Sequence, residues 1–379
     1  MEKVKKIHIE WKILTHDRRR LALSLAGIAF SVITMFLELG FFNGFNDSQA
    51  NLPPLYNADL VMMHKSKVNM MKSNRINRAY LYQVAPFDGV TEVIPVYEGN
   101  LRLRNPETDM VHRIAIIAFP IGTPPFTIPE LKLYQDILKK KNAVLYDSRS
   151  RSVYGNIREG MDIELSDSIY KVGGVIKLGP NFARNGYIIM SDTNWLTHTS
   201  SRSDQISFGL IRVKPGVDLK DLKARIVSLN PEEIIAMTPG ELRERDVRFF
   251  TKATPFGIIF GTGLVIGFVI GVMICYQILF NEVTDNLPQY ATLKAIGFPN
   301  LYVISIVMKI ALVLSLLGFF PGLLGGWILY TTIEHFTRIN MFLTAGRIAL
   351  ICILTVLMCG FAGGLAVRKV MKADPAELF

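Results

Sequence analysis

Residues able to do chemistry are scattered along this chain of 379 residues and do not form a catalytic set. Zinc ligands recur at short, regular spacings, and the six histidines contain no such pair: His8, His16, His64, His112, His198 and His335. The chain has no G-x-x-x-x-G-K-[ST] loop to hold a phosphate, no G-x-S-x-G nucleophile elbow and no H-E-x-x-H zinc helix. We therefore expect neither an enzymatic site nor a bound metal or cofactor in this chain.

Two ionisable residues, Glu38 and Lys309, interrupt long apolar runs. Ionisable residues inside a membrane often mark ion or proton pathways, which is one interpretation here. The two are isolated and lie at different depths along their runs, however, and a lysine can extend its ammonium group to the membrane surface. We favour a structural role for both.

The elements that position these residues are helices long enough to cross a membrane. Half of the residues are hydrophobic and only 20% are charged, below the roughly 25% usual in soluble domains. A span needs about 20 apolar residues, and four runs reach that length: 21–45, 255–280, 301–333 and 348–367. One run alone could be a buried core helix, and the first could be a secretory signal. Because there are four, and no cleavage site follows the first, we predict four transmembrane helices.

Basic residues flank these runs unevenly. Seven lie in the N-terminal segment 1–20 and three in the C-terminal segment 368–379, against two in the connection 334–347. Since cytoplasmic flanks carry the excess of Lys and Arg, we expect both termini in the cytoplasm, residues 46–250 outside it, and the connection 281–300 inside. These flanks explain much of the net charge of +10, so no nucleic-acid partner is expected.

The segment 46–250 has the pattern of an α+β domain, which we expect to form two lobes. Strand-like runs alternate with helix-like ones and with frequent Gly and Pro turns: strands at Ala58–Met63, Ile114–Phe119, Tyr187–Met190 and Ile206–Val213, helices at Ile128–Lys140 and Asp218–Leu229. All three cysteines fall in apolar runs, so this domain must fold without disulfides. The expected fold class is a membrane α-helical protein of four transmembrane helices with a large extracytoplasmic α+β domain.

Glycines are concentrated in the second predicted span. Small residues at every fourth position let membrane helices approach closely, and this span has five glycines: Gly257, Gly261, Gly263, Gly267 and Gly271. We interpret them as a helix-packing face, within the chain or across a dimer. In the third span, Pro321 followed by Gly322 suggests a kink or a break.

The connection between the second and third spans is the segment most suited to receive force from a soluble partner. Residues 282–297 are amphipathic and form a short helix-like stretch. Gly297 followed by Pro299 is a helix stop signal. A helix held between two spans can transmit movement to both.

The sequence Gln289-Tyr-Ala-Thr-Leu-Lys-Ala-Ile-Gly297 resembles the coupling-helix signature of FtsX/MacB-type ABC transporter permeases. Further motifs resemble the DevC branch of that family in the same order along the chain. They are Ala26-Gly-Ile-Ala-Phe30, Leu39-Gly-Phe41, Asp147-Ser-Arg-Ser150, Tyr154-Gly155, Leu178-Gly179, Gly209-Leu-Ile211, Lys214-Pro-Gly216, Thr254–Phe260, Tyr276–Leu279, Pro321-Gly322 and the tail Arg368–Phe379. The resemblance covers essentially the whole chain.

The resemblance implies a non-catalytic subunit of the bacterial inner membrane. A homodimer of the permease would bind two copies of a separate ATPase, which holds ATP and Mg. The assembled complex would export a lipid, peptide or small molecule together with a periplasmic adaptor and an outer-membrane channel. By the same resemblance, six residues couple to the ATPase: Asp285, Leu287, Gln289, Tyr290, Leu293 and Lys294.

Three departures from the family pattern accompany the resemblance. Gln289 stands where the family usually has an acidic residue, Asn286 where it often has His, and Lys309-Ile310-Ala311 where it has Gln-Glu-Ala. Two other functions stay open on the sequence. One is an FtsX-like signalling subunit that activates an extracytoplasmic enzyme, and the other is a membrane-anchored enzyme with an unrecognised site.

Overall fold

The computed structural model describes residues 17–49, 52–68, 70, 72–181, 183–199, 202–252, 255–338 and 341–372. Most of the basic N-terminal segment and the C-terminal tail motif lie outside the described residues. The chain divides into two compact units. We call residues 1–43, 256–333 and 341–379 the membrane unit, and residues 44–255 and 334–340 the mixed unit.

Eleven α-helices and eleven strands lie in the described parts of the chain. The helices are α1 Arg18–Gln49, α2 Arg78–Val84, α3 Pro129–Leu133, α4 Gln135–Leu138, α5 Asp192–His198, α6 Leu219–Ser228, α7 Pro239–Lys252, α8 Pro255–Asp285, α9 Leu287–Ala295, α10 Asn300–Thr337 and α11 Ala345–Lys372. The strands are β1 Leu60–His64, β2 Ile76–Asn77, β3 Val90–Arg104, β4 Val111–Phe119, β5 Ala143–Asp147, β6 Asp162–Leu165, β7 Ser168–Ile176, β8 Tyr187–Ser191, β9 Gln205–Ile206, β10 Phe208–Val213 and β11 Ile234–Met237.

Four of these helices, α1, α8, α10 and α11, are long and apolar enough to cross a membrane. Each extends past its predicted run at one end or both. The expected fold class is confirmed: four membrane helices accompany a large mixed α/β unit. The break expected at Pro321 is wrong, since α10 is one helix from Asn300 to Thr337.

Glycines on α10 let it pack closely against α1. Side chains placed on Gly318, Gly322 and Gly326 would collide with successive turns of α1: a Cβ at Gly322 would lie 2.6 Å from the Val32 side chain. One turn further, the Tyr330 hydroxyl donates a hydrogen bond to the carbonyl of Phe36. The glycines after Pro321 therefore form a packing face.

The mixed unit is built on one nine-stranded sheet in the order β11-β1-β10-β3-β4-β8-β5-β7-β6. Most neighbours are antiparallel, but β4 pairs with β8 and β5 with β7 in parallel. The two-lobe expectation stays a prediction: within the sheet, β10 pairs with the first half of β3, residues 90–96, and β4 pairs with its second half, residues 97–104.

Both faces of this sheet are covered by apolar side chains. Along β4, Ile114 and Ile116 belong to one buried cluster, while Ala115 and Ile117 belong to another. Side chains alternate between faces along a strand, so a strand buried on both faces needs a continuous apolar run. This explains why the strand-like runs lack polar alternation.

The predicted helices of the mixed unit are present with changed limits. The stretch 128–140 forms two short helices, α3 and α4, which meet at Tyr134. Helix α6 begins where expected because the Asp218 carboxylate accepts a hydrogen bond from the Lys220 amide at 2.8 Å.

Candidate coupling site

Helix α9 is a two-turn element between the membrane helices α8 and α10. It ends at Gly297, whose φ of +103° lies in the left-handed region that favours glycine. The amide of Phe298 donates to the carbonyl of Leu293 at 3.1 Å. That bond spans the helix end in the pattern of a Schellman cap, so the predicted stop signal is confirmed.

One face of α9 is built into the apolar core of the membrane unit. Tyr290 is only 2% exposed, and Ala291 beside it is also buried. Leu287 and Leu293 are half-buried against the same cluster. Burial raises the pKa of the Tyr290 phenol to about 12, so this side chain stays neutral. Three of the six residues expected to couple therefore seat the helix through apolar contacts.

The opposite face of α9 is open to solvent. Gln289 and Thr292 are exposed on the helix itself. Ile296 and Phe298 follow at its end and are 69% and 41% exposed. The side chain of Lys294 lies outside the described residues. Large apolar side chains left exposed beside polar ones are typical of a protein-binding surface. We call Gln289, Thr292, Ile296 and Phe298 the α9 surface.

Charged residues connect the start of α1 to the end of α8. The Arg20 guanidinium pairs with Asp285 and, at 3.3 Å, with Glu282. The side-chain nitrogen Nδ2 of Asn286 donates to the Glu282 carboxylate at 3.1 Å. Asp285, expected to couple, is thus engaged by Arg20 of the same chain. No local pattern indicates this contact, because it joins residues 265 positions apart.

The glycines of α8 lie on two different faces. A Cβ at Gly271 would lie 3.1 Å from the Ser31 side chain, and one at Gly267 3.4 Å from Thr34, both on α1. At Gly263 it would lie 2.3 Å from a carboxylate oxygen of Glu38, so this intramembrane acid packs over glycine backbone. At Gly261 nothing lies within 4 Å. Gly257 is in the first turn of α8.

A buried ionic cluster in the mixed unit was not found from the sequence. The Glu98 carboxylate accepts from Lys67 at 3.4 Å and from Arg184 at 3.1 Å. Burial would raise the pKa of Glu98, but the two cations outweigh it and lower that pKa. The three residues are far apart in sequence and meet only in the folded sheet.

Asp246 of α7 is a second buried acid of the mixed unit. Burial raises its pKa to about 6, against the opposing effect of Arg245 next to it. One of its carboxylate oxygens has no hydrogen-bond partner among the described residues. Asp246 therefore destabilises the fold when it is charged.

Among the described residues, no group of three or more His, Cys, Asp or Glu side chains is arranged to hold a metal ion. Cys275 and Cys359 are neighbours inside the membrane unit, with their sulfurs 3.5 Å apart. Both are free thiols.

Comparison with known families identifies the part of the chain that contains α9. The family model described as the FtsX-like permease C-terminal matches residues 249–375. That segment belongs to the FtsX-like permeases. It includes α8, α9, α10 and α11, so this chain is a multi-pass membrane protein with a permease type of membrane region.

Solved structures similar to the chain include a periplasmic region and an extracellular domain of two bacterial proteins. The periplasmic region of MacB from Actinobacillus actinomycetemcomitans has a TM-score of 0.37 and 10% identity, covering 50% of this chain and 92% of that one. The extracellular domain of the noncanonic ABC-type transporter YknZ from Gram-positive bacteria has a TM-score of 0.33 and 13% identity, covering 48% and 99%. These likenesses are too distant to extend either protein's role to this chain. No curated protein matches it.

Proposed function

We propose that this chain is the membrane subunit of an ABC-type exporter, driven by a separate ATPase that docks on the α9 surface. ATP and Mg bind the partner. The family match of residues 249–375 supports a permease. Docking of an ATPase is supported by the two faces of α9, one buried and one exposed. Its inner face packs in the apolar core of the membrane unit, while apolar and polar side chains of its outer face are exposed.

The inner face explains how a push on α9 would reach the membrane helices. Tyr290 packs in the cluster that also contains Val283 of α8 and Val303 of α10. A packed core moves as a body and does not absorb displacement. Force applied to the α9 surface would therefore displace both flanking helices.

The exporter would be a homodimer in a bacterial inner membrane. Only 17% of the most apolar stretch of α8 is buried within the chain, against 50% in α10. Gly261 lies on this uncovered side, where nothing approaches within 4 Å. A second copy is the occupant we propose for it, with lipid covering the remainder. The mixed unit would lie in the periplasm, where it meets an adaptor protein and, through it, an outer-membrane channel.

The DevC branch is the permease group we propose for this chain, on the collinear motifs of the sequence. Its cargo would be a lipid, a peptide or a small molecule released outside the inner membrane. The membrane helices would transmit movement from α9 to the mixed unit.

Docking is tested by a charge on the α9 surface. We expect Ile296→Asp to reduce co-purification with the partner ATPase and the ATP turnover of the complex by about tenfold or more. A tenfold loss corresponds to ~1.4 kcal/mol, which lies in the range that changing a side chain at the centre of an interface costs. The matched control is Leu133→Asp, which adds the same charge at a side chain 77% exposed in the mixed unit.

The fold itself is monitored by the thermal unfolding of both variants. If Ile296→Asp assembles and turns over ATP like the unmodified chain, the α9 surface is not the docking site. If ATP turnover depends on the α9 surface but no cargo moves, the signalling role replaces export. Tyr290 is unsuited to this test, because replacing it would damage the core.

A further inference from the structure

The segment 147–150, at the end of β5 in the mixed unit, is held rigidly from inside. Asp147 is fully buried. Its carboxylate accepts hydrogen bonds from the amides of Arg149 at 3.1 Å, Leu178 at 3.0 Å and Gly179 at 2.9 Å. Three backbone donors on one carboxylate fix the loop to the chain that follows β7.

Close packing adds to this rigidity. The Ser148 amide and hydroxyl both donate to the Ile176 carbonyl, at 2.9 and 3.0 Å. The Ser150 hydroxyl lies over Gly186, where an added Cβ would be 2.0 Å away. The motifs Asp147–Ser150 and Leu178-Gly179 are two of those that resemble the DevC branch, and the structure brings them together with Gly186 into one loop anchor.

The loop anchor presents two carbonyls to a single arginine. Nη1 of Arg338 donates to the Ser148 carbonyl at 3.0 Å and to the Ser150 carbonyl at 2.8 Å. Arg338 directly follows α10, which ends at Thr337. Its amide donates to the Glu334 carbonyl at 2.8 Å. Residues 334–340 belong to the mixed unit, although α10 begins in the membrane unit.

The backbone of Arg338 is also suited to a fixed joint. Its φ of +56° is left-handed, a conformation that few non-glycine residues adopt. This left-handed backbone ends α10 directly after Thr337. A guanidinium offers several donors in a planar fork, whereas a lysine ammonium is a single point on a flexible stem. Arginine therefore suits a position that must hold two carbonyls at once.

We propose that Arg338 is the positioning residue through which movement of α10 reaches the mixed unit. This proposal rests on the proposed function, because it needs an ATPase to move α10. When α10 shifts, Arg338 pulls on the carbonyls of Ser148 and Ser150. The Asp147 anchor passes that displacement into β5 and the segment after β7. Export then depends on a contact far from the α9 surface.

The first measurement is hydrogen–deuterium exchange of the full chain in lipid nanodiscs. We expect Arg338→Ala to speed exchange about tenfold in the segments 147–151 and 334–338, as expected when charge-assisted hydrogen bonds are lost. Arg338→Lys should give an intermediate change. The control is Arg347→Ala, because Nη1 of Arg347 also donates to a backbone carbonyl, that of Phe342, at 2.6 Å. This variant should leave the exchange rate of segment 147–151 unchanged.

The second measurement uses the complex with its ATPase. We expect Arg338→Ala to keep assembly and ATP turnover but to lose transport about tenfold, within the range of coupling between distant sites. Arg338→Lys should restore part of it. Unchanged exchange, unchanged transport, or a joint loss of assembly and transport would each overturn the proposal. If the unmodified chain binds no ATPase, the proposed function fails, while the exchange result still decides whether Arg338 holds the loop.

Discussion

At the scale of the residue, burial decides which charges support the fold. Glu98 has two cationic partners and stays charged, whereas Asp246 lacks a close partner for one carboxylate oxygen. A buried charge is tolerated when its hydrogen bonds are satisfied and costs stability when they are not. Lys67 and Glu98 also face Asp246, together with Arg245, and affect its protonation in opposite directions.

Replacing Asp246 by asparagine should stabilise the protein at neutral pH. The folded-state pKa of Asp246, about 6, lies above the ordinary value of an aspartate, 3.8. Protonation of Asp246 therefore favours the folded state. This contribution to stability is fully present below about pH 4 and is lost as pH rises through about 6. We expect Asp246→Asn to be more stable by about 1–3 kcal/mol at pH 7, with the difference vanishing near pH 4.

Thermal unfolding of the full chain between pH 4 and pH 8 measures this effect, with pH limits chosen to bracket the titration. Asp221→Asn, at an exposed position of α6, is the control and should show no such dependence. An Asp246→Asn chain that is less stable than the unmodified chain at pH 8 would contradict the assignment of a destabilising charge.

At the scale of the element, α10 and α8 differ in what their glycines face. The stripe of Gly318, Gly322 and Gly326 on α10 is filled by α1. On α8, Gly267 and Gly271 also face α1, but Gly261 faces open space. Membrane helices associate by close packing, since lipid removes the hydrophobic driving force. The α10 face therefore belongs to the internal structure of the chain, and the uncovered α8 face is available to a second copy.

A matched pair of valine substitutions separates these faces. Gly322→Val should destabilise the folded monomer by about 1–3 kcal/mol, the usual cost of overpacking, because its Cβ would lie 2.6 Å from Val32. Gly261→Val should leave monomer unfolding unchanged and should weaken dimer formation. Unfolding in detergent and mass measurement in nanodiscs test the two effects. A tolerated Gly322→Val would contradict the packing described for α10.

At the scale of the whole molecule, the direction of the chain through the membrane follows from charge and internal pairing. The predicted cytoplasmic flanks are basic, and the Arg20 contacts bring the start of α1 to the end of α8. Within the membrane unit, α1 and α8 are antiparallel, as two consecutive spans must be. We propose that α9 faces the cytoplasm and the mixed unit the opposite side.

Cysteine labelling tests this orientation in intact cells. After Cys275, Cys352 and Cys359 are replaced by alanine, single cysteines are placed at the exposed positions Leu133 and Ile296. We expect a membrane-impermeant maleimide to label Leu133→Cys from outside once the outer membrane is permeable. Ile296→Cys should react only after the inner membrane is opened. The reverse pattern would invert the proposed topology.

The sequence by itself determined what depends on local composition and spacing. Membrane helices follow from apolar length, and the end of α9 follows from Gly297, whose backbone must be left-handed. The coupling signature was readable because all its residues are consecutive. These features need no information about distant parts of the chain.

Only the tertiary structure decided which face each residue uses and which distant residues meet. It seated Tyr290 inside and left Ile296 exposed, and it made a continuous helix through Pro321, because α1 packs along the α10 glycines. Contacts such as Glu98 with Arg184, or Arg338 with Ser148, join residues 86 and 190 positions apart. Nothing in local spacing encodes such contacts, since they arise only when the sheet and the helices assemble.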